Sequence, residues 1–159
     1  MVALLMSQNI YFFGQTGLPD PAIWEVALGD LKVDYTVDVE EREDASPVYG
    51  EVFLDGEDLI QFELYTAMQT AKGFDGESGA SVFAQEIELA KTQKAGGSPE
   101  LIAELNKTTE ILVLAIAAED QSDEQLARNL EPFLDWLHAT SKGLHYVDGT
   151  GFYDATARL

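Results

Sequence analysis

The chain has 159 residues, 29 Asp and Glu against 9 Lys and Arg, a formal charge of −20, 46% hydrophobic residues and no Cys. A chain of this length buries about 70% of its unfolded surface, so a single domain over residues 1–159 is expected. Without cysteine there is no disulfide framework, thiolate zinc site, iron–sulfur cluster or cysteine nucleophile, and the longest apolar run, residues 111–118, is far short of the ~20 that span a bilayer.

Residues 1–13, MVALLMSQNIYFF, carry neither the basic start nor the small-residue cleavage site of a signal peptide, so a cytoplasmic location is expected. Within them, residues 9–13 read as a strand closed by Gly14. After a turn at residues 14–17, Asp20 caps and Pro21 starts a short helix, with Ile23, Trp24, Ala27 and Leu28 inward and Gly29 as its stop. Leu31, Val33, Tyr35, Val37 and Val39 then alternate with polar residues, the clearest strand signal in the chain. A charged loop over residues 40–47 leads to a hairpin, residues 48–54 and 59–65, turned by Asp55-Gly56.

Residues 72–79 form a Gly-rich connector before a helix over 81–94, in which Glu86 interrupts the apolar stripe. Gly96-Gly97 break the chain, and Ser98 and Pro99 open a second helix lined by Leu101, Ile102 and Leu105. Residues 110–118 are apolar on both alternating faces, which predicts a central strand covered on both sides. Ser122 and Gln125 make a capping box for a long helix carrying Leu126, Leu130, Phe133, Leu134 and Leu137; Pro132 should kink it near Arg128, and Gly143 should end it. Residues 144–147 and 152–154 make a last hairpin.

The order is β-α-β-β-β-α-α-β-α-β-β, an α+β fold with a mostly antiparallel sheet and helices packed on one face. Strand, Trp-bearing helix, strand and hairpin occur twice, around Trp24 and around Trp136, and these two βαββ-like halves would fit an internal duplication. The first 70 residues look like the thioredoxin-like half of glutathione transferases. That family's proline before the first hairpin strand is missing from residues 49–53, and its all-helical second half is replaced by strands, so the resemblance carries no function.

Two histidines are present. His138 follows Asp135 by three residues, a spacing that lets a carboxylate orient a general base, and this pair is the catalytic candidate. No nucleophile accompanies it, and no spacing names a metal site or a cofactor. Gly14-Gln15-Thr16-Gly17 sits between strand and helix but lacks the remaining residues of a phosphate-binding loop, so a tight turn is expected. The binding candidates are Glu40, Glu41, Glu43 and Asp44, which concentrate charge after the alternating strand, and Tyr146 with Tyr153 across the last hairpin.

A charge of −20 repels phosphate backbones and anionic lipid, which argues against nucleic acid and membrane surfaces as partners. Three readings of the acidity stay open: a solvated surface, adaptation to high salt, and a patch that steers a basic protein. The expected function is binding of a protein with a basic surface; the alternative is a small-ligand or enzyme pocket between sheet and helices.

Overall fold

In the computed structural model, which describes residues 9–73, 76–118 and 121–159, seven strands form one antiparallel sheet. Residues 1–8, on which much of the signal-peptide reading rests, lie outside the described residues, as do Phe74 and Asp75 of the Gly-rich connector. The strands are β1 (Asn9–Gly14), β2 (Tyr35–Val39), β3 (Val48–Leu54), β4 (Glu57–Thr66), β5 (Glu110–Ile116), β6 (Gly143–Val147) and β7 (Gly151–Tyr153), in the spatial order β2-β3-β4-β5-β1-β6-β7. Four α-helices accompany them: α1 (Trp24–Leu28), α2 (Gly79–Leu89), α3 (Pro99–Leu105) and α4 (Asp123–Thr140). The class is the expected α+β.

Alternation along β1 and β5 decides where the core sits. Ile10 and Phe12 of β1, with Leu112 and Leu114 of β5, point to one face, where they meet Trp24 and Leu28 of α1 and Leu126, Leu130, Phe133 and Leu137 of α4. Phe13 and Ile111 point to the other, against Phe83 and Ile87 of α2 and Leu101, Ile102 and Leu105 of α3. Helices therefore cover both faces, where one covered face was expected. The two-sided apolar run of β5 required this, because an exposed row of Ile and Val would forfeit roughly 1.5–3 kcal/mol per side chain. Trp24 anchors the first core. Its ring lies 4.9 Å from Phe62 and 5.6 Å from Trp136, and its indole N–H donates to the Pro19 carbonyl at 2.8 Å.

Local chemistry explains most element ends. Asp20 accepts from the Ala22 N–H, Ser78 from Ser81 and Ser98 from Leu101, and Ser122 and Gln125 form the full capping box. Asp55 and Gly56 both have positive φ, 52° and 82°, which suits the tight β3–β4 turn. Other boundaries differ from the sequence reading. Gly29 stays right-handed at φ −58°, and the chain runs on as a 3-10 turn to Leu31 until Lys32 turns it at φ +58°. The alternating strand begins only at Tyr35; Leu31 and Val33 still pack on the core, but from the connection into β2. Helix α4 continues through Pro132, whose missing N–H leaves the carbonyl of exposed Arg128 without its helical donor.

Gly143 does not end α4 either. Ser141 does so in extended conformation, while Gly143 opens β6 directly opposite Gly14. A Cβ on Gly143 would overlap the Phe13 carbonyl oxygen. The glycine serves close strand approach.

The two Trp-bearing units are not equivalent in the sheet. From β5, α4 leads to β6, which docks beside β1; from β1, α1 leads to β2 at the far edge, with β5, β4 and β3 between.

Candidate functional site

Two surfaces concentrate chemistry, one on each face of the sheet. On the first, α4 presents Ala127, Leu130, Glu131, Leu134, Asp135 and His138 along one stripe, the helical spacing that also buries its leucines. Opposite stand Ile10 of β1, His145 and Val147 of β6, and residues 153–155 after β7. Between them lies a cavity of about 270 Å³.

His138 Nε2 and His145 Nδ1 are 2.7 Å apart at its floor. A direct nitrogen–nitrogen hydrogen bond needs one N–H and one lone pair, so the contact carries one proton. One ring donates and the other accepts, so each ring's tautomer is tied to that of its neighbour. The Gly143 backbone, close to the His138 ring, favours its protonated form slightly. Phe12 meets the His138 ring edge-on at 5.2 Å, and Tyr153 packs on His145 at 4.9 Å. Burial lowers the proton affinity of both rings and, with a smaller effect from neighbouring His138, takes His145 down to about 4; Asp135 and Asp154 partly oppose the lowering at His138.

The expected Asp135–His138 pair thus shares a cavity, but the hydrogen bond of the ring goes to His145. Asp135 acts on His138 by charge alone. The missed residue is His145. Seven positions from His138 and on a different element, it comes into reach only when β6 docks on β1.

Tyr146 and Tyr153 do not form the pair expected of them. Tyr146 is opposite Phe152 and Tyr153 opposite His145, so the two tyrosines point to opposite faces. Tyr146 joins Tyr11 around Lys94, whose Nζ lies 3.7 Å from the Tyr11 ring centre and 4.9 Å from that of Tyr146. Lys94 reaches this place on a single π turn, residues Ala90–Lys94, that extends α2. Its charge also acts on Glu86 within the apolar stripe: burial raises the Glu86 carboxyl and Lys94 offsets that in part.

The second surface is the wing formed by β2, β3 and the outer part of β4. The apolar cluster on this face includes no residue of β2 or β3. Asp38 lies directly opposite Glu51, which lies opposite Gln61. In the next row the Glu40 N–H donates to the Tyr49 carbonyl, and Tyr49 is opposite Glu63. Glu40, Tyr49, Glu51, Gln61 and Glu63 line a groove of about 220 Å³. Partial desolvation raises the Glu51 carboxyl, and Asp58, Asp38 and Glu40 push it the same way. Glu41 and Glu43 belong elsewhere: with Arg42, Ser46, Tyr49 and Lys72 they line a mixed-charge cavity of about 510 Å³, and Asp44 is exposed in the same loop.

The Gly14–Gly17 turn has no free cradle of amides. The Gln15 N–H donates to the Lys142 carbonyl at 2.6 Å and that of Thr16 to Ser141 Oγ at 3.3 Å. Ser141 Oγ in turn donates to Glu110 Oε1 at 3.1 Å, so the turn ties β1 to β5 and to the end of α4. The tight-turn reading accounts for it. Among the described residues no group of three or more His, Asp or Glu is placed to hold a metal ion, and no helix is long and apolar enough to cross a membrane. Comparison with protein-family models, curated proteins and solved structures finds no match to this chain.

Proposed function

We propose that this domain acts by binding a protein with a basic surface, and that the binding face is the acidic wing of β2, β3 and β4. The observation that carries this reading is the register that sets Asp38 directly against Glu51 on an uncovered face, with Glu40 and Glu63 in the adjoining row. Like charges opposite one another across strands cost stability. A cationic surface laid on the wing relieves that repulsion, and the net charge of −20 steers its approach. Strand β2 is the edge of the sheet, but its outward Val37 N–H already donates to Glu25 Oε1 at 2.9 Å, so the charged rows rather than main-chain pairing carry the contact. The same charge disfavours phosphate backbones.

Decalysine serves as the probe, titrated at low ionic strength into ¹⁵N-labelled protein. The expected result is amide shifts concentrated on β2, β3 and β4, with affinity reduced several-fold by Asp38→Asn plus Glu51→Gln and far less by Asp30→Asn plus Glu124→Gln. Equal losses from both pairs, or shifts spread over every acidic surface, would overturn the proposal.

The alternative, a small-ligand pocket between sheet and helices, is favoured by one observation, the cavity floored by His138 and His145.

A further inference from the structure

The paired-histidine cavity has a charge pattern of its own, on the face opposite the acidic wing. Its walls are apolar, formed by Ile10, Leu130, Leu134 and Val147. Three carboxylates, Glu131, Asp135 and Asp154, stand around it, and no lysine or arginine among the described residues lines it. Glu131 and Asp135 are one turn apart on exposed positions of α4. Asp154 is held from the other side, its Oδ1 accepting from the Thr156 N–H and hydroxyl at 2.8 Å each and from the Ala157 N–H at 2.9 Å. Those bonds keep it ionised, its proton affinity lowered. The histidines at the floor are held neutral by burial and so leave the three negative charges uncompensated.

We propose that this cavity binds a small amphiphilic amine, with its apolar body against Ile10, Leu130, Leu134 and Val147 and its ammonium group at Glu131, Asp135 and Asp154. An anionic ligand would meet three like charges. A purely apolar one would leave them without a counterion. The volume of about 270 Å³ suits a single-ring molecule and is too small for a dinucleotide. This assignment is independent of the wing, since the two sites share no residue.

The test is a titration of the 159-residue protein with 2-phenylethylamine, followed by calorimetry and by the imidazole resonances of both histidines. Saturable one-to-one binding is expected, with both rings shifted, and at least about tenfold tighter than 3-phenylpropionate, which reverses the charge, and ethylamine, which lacks the ring. Glu131→Gln plus Asp135→Asn should weaken it about tenfold, the scale of losing a charge-assisted contact. Ala155→Trp, at an exposed lining position, should block the cavity without lowering the melting temperature. Equal affinity for the carboxylate, equal affinity for ethylamine, no saturation at millimolar amine, or unshifted histidines would each overturn the proposal.

Discussion

His138 Nε2 lies 2.7 Å from His145 Nδ1, and one proton serves the contact. Burial lowers the proton affinity of both rings, so the folded protein takes up these protons at lower pH than an unfolded histidine, near 6.5. The unfolded state binds more protons, so stability rises with pH. The contribution of the pair is complete above about pH 6.5 and is lost as pH falls toward the folded-state value of about 4 for His145. Titration of the imidazole carbons by NMR should show His145 protonating near 4 and His138 below its ordinary value; either ring titrating at 6.5 or above would contradict a pair that burial keeps neutral. His145→Phe should flatten the difference in melting temperature between pH 7 and pH 5.

Glu110 is only 5% exposed, and burial raises its carboxyl while the bonds from Ser141 and the Leu18 backbone hold it down in part. A raised carboxyl has the opposite linkage: its stabilisation is present at low pH and lost as pH climbs from 4.5 through the folded value. Glu110→Gln should therefore gain on the wild type as pH rises from 4 to 8. Ser141→Ala, which strips the acceptor from the Thr16 N–H and the donor from Glu110, should cost about 1–3 kcal/mol in denaturant unfolding at neutral pH. A cost under a few tenths would show that the turn is held by other contacts.

Gly143 and Gly29 provide a matched test of why glycine is used. A side chain at Gly143 overlaps the Phe13 carbonyl, whereas a Cβ at Gly29 meets nothing within 4 Å and the backbone there is right-handed. Gly143→Ala should destabilise by about 2 kcal/mol or more, as overpacking between strands does. Gly29→Ala should be neutral or stabilising by up to about 1 kcal/mol. Similar melting temperatures for the two variants would contradict the strand-approach account.

Asp38 against Glu51 should make the protein sensitive to salt. Melting temperature should climb with KCl and level off by a few tenths molar, where the Debye length is below about 8 Å. Asp38→Asn should raise the melting temperature at low salt and leave it unchanged at 1 M. A wild type whose stability keeps climbing well beyond 1 M would instead mark the acidity as adaptation to high salt.

Much of the fold is legible in local sequence because its causes are local. The two-sided apolar run of residues 111–116 announces the central strand β5, the Ser122–Gln125 box starts α4, and Asp55-Gly56 turns β3 into β4, each through chemistry completed within a few residues. Gly29 and Gly143 depart from the sequence expectation for the converse reason. Glycine is compatible with helix ends, turns and close strand approach alike, and which one applies depends on the distant residue it faces. The alternation from Leu31 overstated β2 because buried residues in a connection follow the same apolar rhythm as a strand.

What the amino-acid sequence determines by itself is the set of elements, the α+β class and the charge, since periodicity, capping and composition are properties of the chain. What tertiary structure alone decides is which residues meet. The Asp135–His138 spacing was visible on one helix, but His145 reaches His138 only because β6 pairs with β1 beneath α4. Likewise Asp38 confronts Glu51 only through the β2–β3 register, and Tyr146 parts from Tyr153 because opposite neighbours in the β6–β7 ladder alternate between faces. Strand pairing between remote segments is not encoded in any window of sequence. It follows from burying both faces of one sheet at once.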